Sequence, residues 1–123
     1  MQSVLIDTDT AIDYLRGSQE AANLLGQLWK ENSAYLSILS VYELYAGMRT
    51  TEKEDTEDFI NACNIEPVTL HIAKKAGEIY RYWRSKSKTI TSIDCMIAAT
   101  ATTQKHKIAT RNKNHYPEKE LLF

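Results

Sequence analysis

The chain has 123 residues, 43% of them hydrophobic, which suits one compact domain with its own core and leaves too little for a second. Fifteen Lys and Arg against sixteen Asp and Glu give a net charge of −1, so the molecule has no long-range attraction for polyanions, and any nucleic acid must be held by a local basic patch. Asp7 and Asp9 fall where a signal peptide needs an unbroken apolar stretch, and no run approaches membrane-spanning length, so a cytoplasmic location is expected.

In chain order, Ser3 to Ile6 reads as a short buried strand and Thr10 to Leu15 as a helical turn stopped by Arg16-Gly17-Ser18. A longer helix from about Gln19 to Lys30 puts Ala22, Leu25, Leu28 and Trp29 on one face, and Asn32-Ser33 breaks it. Ala34 to Leu39 reads as a second strand, followed by a helix from Val41 to Arg49 and another from Thr51 to Cys63. The charged run Glu52 to Asp58 forms the solvated face of the latter. Ile65 to Val68 is a third strand. Leu70 to Lys86 spaces Ile72, Ala76, Ile79, Tyr80 and Trp83 at about one helical turn. Ser92 to Gln104 is a further helix, Lys107 to Thr110 a fourth strand, and Leu121 to Phe123 a short edge. Cys63 and Cys95 form no CxxC pair and have no His at metal-ligand spacing, so buried reduced thiols are expected.

Strands separated by helices imply an α/β fold with a mainly parallel sheet covered on both faces. Ligands then bind beyond the carboxyl ends of the strands. Asp7 leaves the first strand at that edge, Glu43 lies four residues past the second, and Asp94 opens a helix whose Ile97, Ala98 and Ala101 share its face. Three carboxylates gathered there make a site for a hard divalent cation. Taken singly, each acid is explained more simply by a structural role. Ser40-Val41-Tyr42-Glu43 is a capping-box pattern, Thr91-Ser92-Ile93-Asp94 a weaker one, and Asp7, Asp9 and Asp13 can serve as a turn and a cap.

The stretches Val4-Leu5-Ile6-Asp7-Thr8-Asp9, Ser40 to Gly47, Ile93 to Ala101 and Ile108-Ala109-Thr110-Arg111-Asn112 in this order resemble the PIN-domain nucleases, and among them the VapC-type toxins of toxin–antitoxin systems. The resemblance covers essentially residues 1–123, as one PIN-like nuclease domain. It implies a three-layer α/β/α sandwich with a small, mainly parallel sheet, acting as a Mg²⁺-dependent endoribonuclease, with Mn²⁺ as a substitute. By motif position Asp7, Glu43 and Asp94 correspond to metal-binding acids of the family, and Thr110 and Asn112 to its fourth motif, where they are expected to orient water or phosphate. Many relatives carry Asp where this chain has Asn112 and others carry Asn, which can coordinate through its amide oxygen or hold a water but brings no charge. Asp9 stands where Asn is usual.

Substrate contacts are expected from Arg81, Arg84 and Lys86, interleaved with Tyr82 and Trp83, and from Arg111 and Lys113 beside the fourth motif. Surface or structural roles are expected for His71, His106 and His115. The resemblance also implies a homodimer and a cognate antitoxin laid across the active-site groove, for which Leu24, Leu25, Leu28 and Trp29 are candidate lining residues, although a helix of this kind must bury a face in any case. Two other readings remain open. Asp7-Thr8-Asp9 has the DxD order of haloacid-dehalogenase-like phosphatases, in which the first Asp is a nucleophile and the second an acid/base. A PIN fold weakened in catalysis and serving as an RNA-binding or assembly module is the other.

Overall fold

In the computed structural model, which describes residues 1–123, the run Val4–Ile6 forms β1, the most deeply buried strand. Three further strands, β2 (Ala34–Ser37), β3 (Asn64–Glu66) and β4 (Lys107–Ala109), complete a four-stranded sheet of order β3-β2-β1-β4, parallel throughout. The chain steps outward from β1 to β3 and then crosses back to lay β4 on the other side of β1. The switch point of the sheet therefore lies between β1 and β4, where ligands of open α/β sheets bind.

Helices cover both faces, as the alternation of strand and helix patterns predicts. Leu5 and Ile108 point to one side, where they meet Ile72, Ala76 and Ile79 of α5 (Leu70–Ser85) and Ile97, Ala98 and Ala101 of α6 (Ser92–Gln104). Val4, Ile6, Leu36 and Ala109 point to the other. There they meet Ala11 of α1 (Thr8–Leu15), Leu25 and Leu28 of α2 (Gln19–Lys30), Leu44 of α3 (Ile38–Gly47) and Phe59 of α4 (Lys53–Ala62). Successive strand residues serve opposite cores because side chains alternate across a strand. No helix is long and apolar enough to cross a membrane. Both cysteines are free and buried, and burial pushes the Cys63 thiol up to about 11, which leaves it unreactive.

Several boundaries differ from the sequence expectation: β3 is Asn64–Glu66 rather than Ile65–Val68, α3 ends at Gly47 and α4 begins at Lys53, and three further differences have a visible cause. Helix α1 starts at Thr8 rather than Thr10, because the Asp7 carboxylate caps it by accepting Thr8 N–H. Strand β2 stops at Ser37, whose side chain caps α3 through Leu39 N–H, so Ile38 and Leu39 are helical and not strand. Ser40-Val41-Tyr42-Glu43 is consequently no capping box; Glu43 stands in the second turn, free of helix-end duty. Leu121–Phe123 forms no full edge strand, only a single bridge from Leu122 to Ile108 after a short 3₁₀ turn.

Strand β3 turns its acid inward. Ile65 is 38% exposed while Glu66 is buried, because His106 reaches it from the start of β4. His106 Nε2 lies 2.9 Å from Glu66 Oε2, its Nδ1 lies 2.6 Å from Ser3 Oγ, and its ring packs on Tyr35 with centroids 4.3 Å apart. A buried carboxylate is tolerated when it is partnered. His106 is thus structural, as expected, and it is internal.

Candidate active site

Asp7 emerges from β1 at the switch point and is 8% exposed. Its Oδ1 accepts Thr8 N–H at 2.9 Å, and its Oδ2 accepts the Tyr116 hydroxyl at 2.9 Å. Burial raises its pKa above the ordinary carboxyl value, helped by the negative charge of Asp9 and opposed by the bonds from Tyr116, Thr8 and Thr110. Asp94 sits one turn into α6, where Thr91 Oγ1 caps Asp94 N–H at 3.2 Å. The Asp94 side chain takes no part in that cap. Instead Oδ1 accepts from the same Tyr116 hydroxyl at 3.3 Å, and Oδ2 lies 3.4 Å from His115 Nδ1.

The two carboxylates are therefore separated by no more than one hydroxyl. Tyr116 is 1% exposed, and burial together with the charges of Asp7 and Asp94 raises its phenol far above the ordinary range, so it acts only as a neutral donor. Across the groove, Thr8 Oγ1 lies 2.6 Å from Glu43 Oε1 and 3.0 Å from the fully buried Ser40 Oγ, which ties α3 to the start of α1. Asp7, Glu43 and Asp94 line one open groove together with Thr8, Asp9, Asn112 and His115.

Asp9 has a different task. Its Oδ2 accepts the backbone N–H groups of Arg111 and Asn112 at 3.2 and 3.1 Å, and the Thr110 hydroxyl at 3.2 Å. Thr110 in turn accepts Asn112 N–H at 3.1 Å. Both oxygens of Asp9 are already bonded, Oδ1 by Thr10 Oγ1 at 3.3 Å, so it is not presented as the free acid/base that a DxD phosphatase requires. Thr110 is turned toward Asp9, and Asn112 faces the groove.

The expected substrate contacts lie outside that groove. Arg111 is paired with Asp13 at 2.9 Å, and with Lys113 it lines a neighbouring depression beside Ser18 and Glu20. Arg81, Arg84 and Lys86 are exposed at the carboxyl end of α5, where Arg84 stacks over Tyr80 at 5.4 Å and Lys86 over Tyr82 at 5.1 Å. Leu25 and Leu28 are wholly core and line no groove. Sequence reading missed Thr8, Ser40 and Tyr116. Thr8 was adjacent to a candidate acid, but a tyrosine among the polar residues between Asn112 and Pro117 gives no local sign of burial.

The donor set tests the expected cation. Carboxylate, amide and hydroxyl oxygens dominate and no thiol is near the groove surface, which suits Mg²⁺ or Mn²⁺. No three acidic, histidine or cysteine side chains are drawn into a ready-made cage. Magnesium keeps several waters and commonly uses only one or two carboxylates directly, so the Asp7 and Asp94 pair fits a hydrated ion.

Fold and site together define an α/β protein with an acid-lined groove at the switch point of a parallel sheet. The PIN domain family model matches residues 4–118, and the chain belongs to the PIN-domain family. It is 35% identical over 119 residues to Ribonuclease VapC10 of Mycobacterium tuberculosis, covering 97% of this chain and 90% of that protein. It is 39% identical over 114 residues to Ribonuclease VapC19 of the same organism, covering 92% and 91%. A toxin–antitoxin complex from Klebsiella pneumoniae contains a chain of the same fold, with a TM-score of 0.84, 21% identity and coverage of 98% and 96%. DNA-bound VapBC from Salmonella typhimurium contains another, with a TM-score of 0.82, 19% identity and coverage of 99% and 96%.

Proposed function

We propose that the protein is a Mg²⁺-dependent endoribonuclease and the toxin of a toxin–antitoxin pair. The observation that carries this reading is the meeting of Asp7 and Asp94 at one hydroxyl in the acidic groove of a chain related to ribonucleases VapC10 and VapC19. Asp7 and Asp94 hold the cation, with Glu43 completing the negative lining from the opposite wall. When bound, such an ion supplies Lewis-acid polarisation of a phosphate oxygen and activation of water. Asn112 orients phosphate or water from the groove rim through its amide, and Thr110 sets the loop that carries it.

The basic end of α5 extends the substrate path. The link 86–91 joins α5 directly to Thr91 and α6, so Arg84, Lys86 and Arg81 stand at the end of the molecule from which Asp94 projects. The stacking of Arg84 on Tyr80 and of Lys86 on Tyr82 gives the combination of charge and aromatic faces that holds single-stranded RNA. Arg111 and Lys113 serve the same end from the other flank. A homodimer and a cognate antitoxin are the proposed partners. The exposed side chains Ile38, Tyr42 and Tyr45, at helical spacing on α3, supply an apolar face for such a contact.

The test is incubation of purified protein with total RNA, with and without Mg²⁺, alongside folded Asp7→Asn and Asp94→Asn variants. Cleavage that needs Mg²⁺, stops with chelator and is lost in both variants is expected. Cleavage indifferent to chelator and to both substitutions would reject the assignment. RNA binding without any cleavage would favour the assembly-module reading.

A further inference from the structure

Resting on that reading of the groove, we infer that Tyr116 is a positioning residue of the metal site, its neutral hydroxyl fixing the spacing of Asp7 and Asp94 without cancelling their charge. The hydroxyl carries one proton, so it donates to one carboxylate at a time. The 2.9 Å contact assigns that proton to Asp7, and the 3.3 Å contact leaves Asp94 as the looser partner. An Arg or Lys at the same place would also bridge two carboxylates, but it would neutralise the field that attracts a cation. A phenol orders the pair and leaves it anionic.

The hydroxyl is held in place by its ring. Tyr116 is 1% exposed and packs in the core formed with Ile79, Ile90 and Ala98, directly under the groove. Asp7 arrives from β1 and Asp94 from α6, and the Tyr116 hydroxyl is the one group within hydrogen-bonding distance of both. Asn112 lines the groove without bringing charge, so cation capture depends on the geometry of the acids. Groups that orient metal ligands from behind are commonly worth about 10–100-fold in metal affinity.

The experiment compares wild type with Tyr116→Phe, which keeps the ring and removes only the hydroxyl. Bound Mn²⁺ is counted by electron paramagnetic resonance of the free ion, and folding is verified by circular dichroism without metal. An affinity weaker by about 10–100-fold in the folded variant is expected. Equal affinity in the two proteins overturns the role of Tyr116 and leaves the nuclease reading intact. Wild-type protein that binds no Mn²⁺ overturns the metal site itself. A second measurement keeps the hydroxyl: 3-fluorotyrosine incorporated at position 116 alone gives a fluorine resonance that shifts on Mg²⁺ saturation. A resonance unmoved by saturating Mg²⁺ overturns the proposal.

Discussion

Asp9 Oδ2 accepts the backbone N–H of Asn112 at 3.1 Å, joining the first turn of α1 to the loop after β4 across 103 residues of sequence. The same oxygen holds Arg111 N–H and the Thr110 hydroxyl, so one carboxylate determines where the fourth motif lies. Bonds to an ionised acceptor are worth about 1.5–3 kcal/mol each when buried and less in a partly exposed loop. Asp9→Ala is expected to lower stability by about 1–2 kcal/mol, and to reduce cleavage more than Mg²⁺ affinity, because Arg111 and Asn112 move while Tyr116, anchored by its buried ring, keeps Asp7 and Asp94 in place. Urea unfolding and Mg²⁺ titration separate the two effects; equal loss in both would place Asp9 among the ligands.

Asp7→Asn is expected to raise the melting temperature of metal-free protein while abolishing cleavage. Burial is the main cause that lifts the Asp7 carboxyl above its ordinary 3.8. Below that value both folded and unfolded states hold the proton and no cost arises. As pH rises toward the folded value, the unfolded chain ionises first and stability falls, and above it the full cost persists at neutral pH. Asn keeps the Thr8 cap without the charge. Thermal melts in chelator should therefore show a stabilisation at pH 7 that shrinks as pH falls toward 4; a destabilised variant at pH 7 would contradict this account.

Glu66→Ala should destabilise the fold without touching the groove. It strips the partner from His106 Nε2 in a buried site, a loss of about 1.5–3 kcal/mol for a hydrogen bond to a charged group. Chemical denaturation measures the change, and RNA cleavage per folded molecule should equal wild type. A variant as stable as wild type would show that the pair adds nothing.

Charge reversal of Arg84 and Lys86 tests the basic end of α5. Removing one cation that neutralises a phosphate should reduce the salt dependence of RNA binding by about 0.7 in the log–log slope for a single strand. Fluorescence anisotropy with an RNA oligonucleotide over a salt series reads this. Unchanged affinity and slope would remove both residues from the substrate path.

Much of the architecture was legible in local pattern. The limits of α2, Gln19–Lys30, and of α6, Ser92–Gln104, agree with the sequence expectation, and the parallel sheet follows from strands alternating with helices. Where the reading slipped, two local signals competed. Ile38 and Leu39 prolonged the apolar run of β2, and only the Ser37 cap shows that the helix had already begun. The third strand, expected at Ile65 to Val68, lies at Asn64–Glu66, since three residues are too few for periodicity to fix the limits of a strand. Asp7, Glu43 and Asp94 were nameable from their motifs, and the groove that they share lies where the topology puts the switch point.

Apolar periodicity, caps and motif order were sufficient to specify the layers, the alternation of strands with helices and the family, because each is written in local stretches of the chain. Which groups those acids meet is another matter. Tyr116 beneath Asp7 and Asp94, Thr8 against Glu43, and His106 upon Glu66 are partnerships between side chains 22 to 109 residues apart. They arise only when β4 crosses back beside β1 and the helices close over both faces, since hydrogen bonds act over about 3 Å and leave no periodic trace in the sequence.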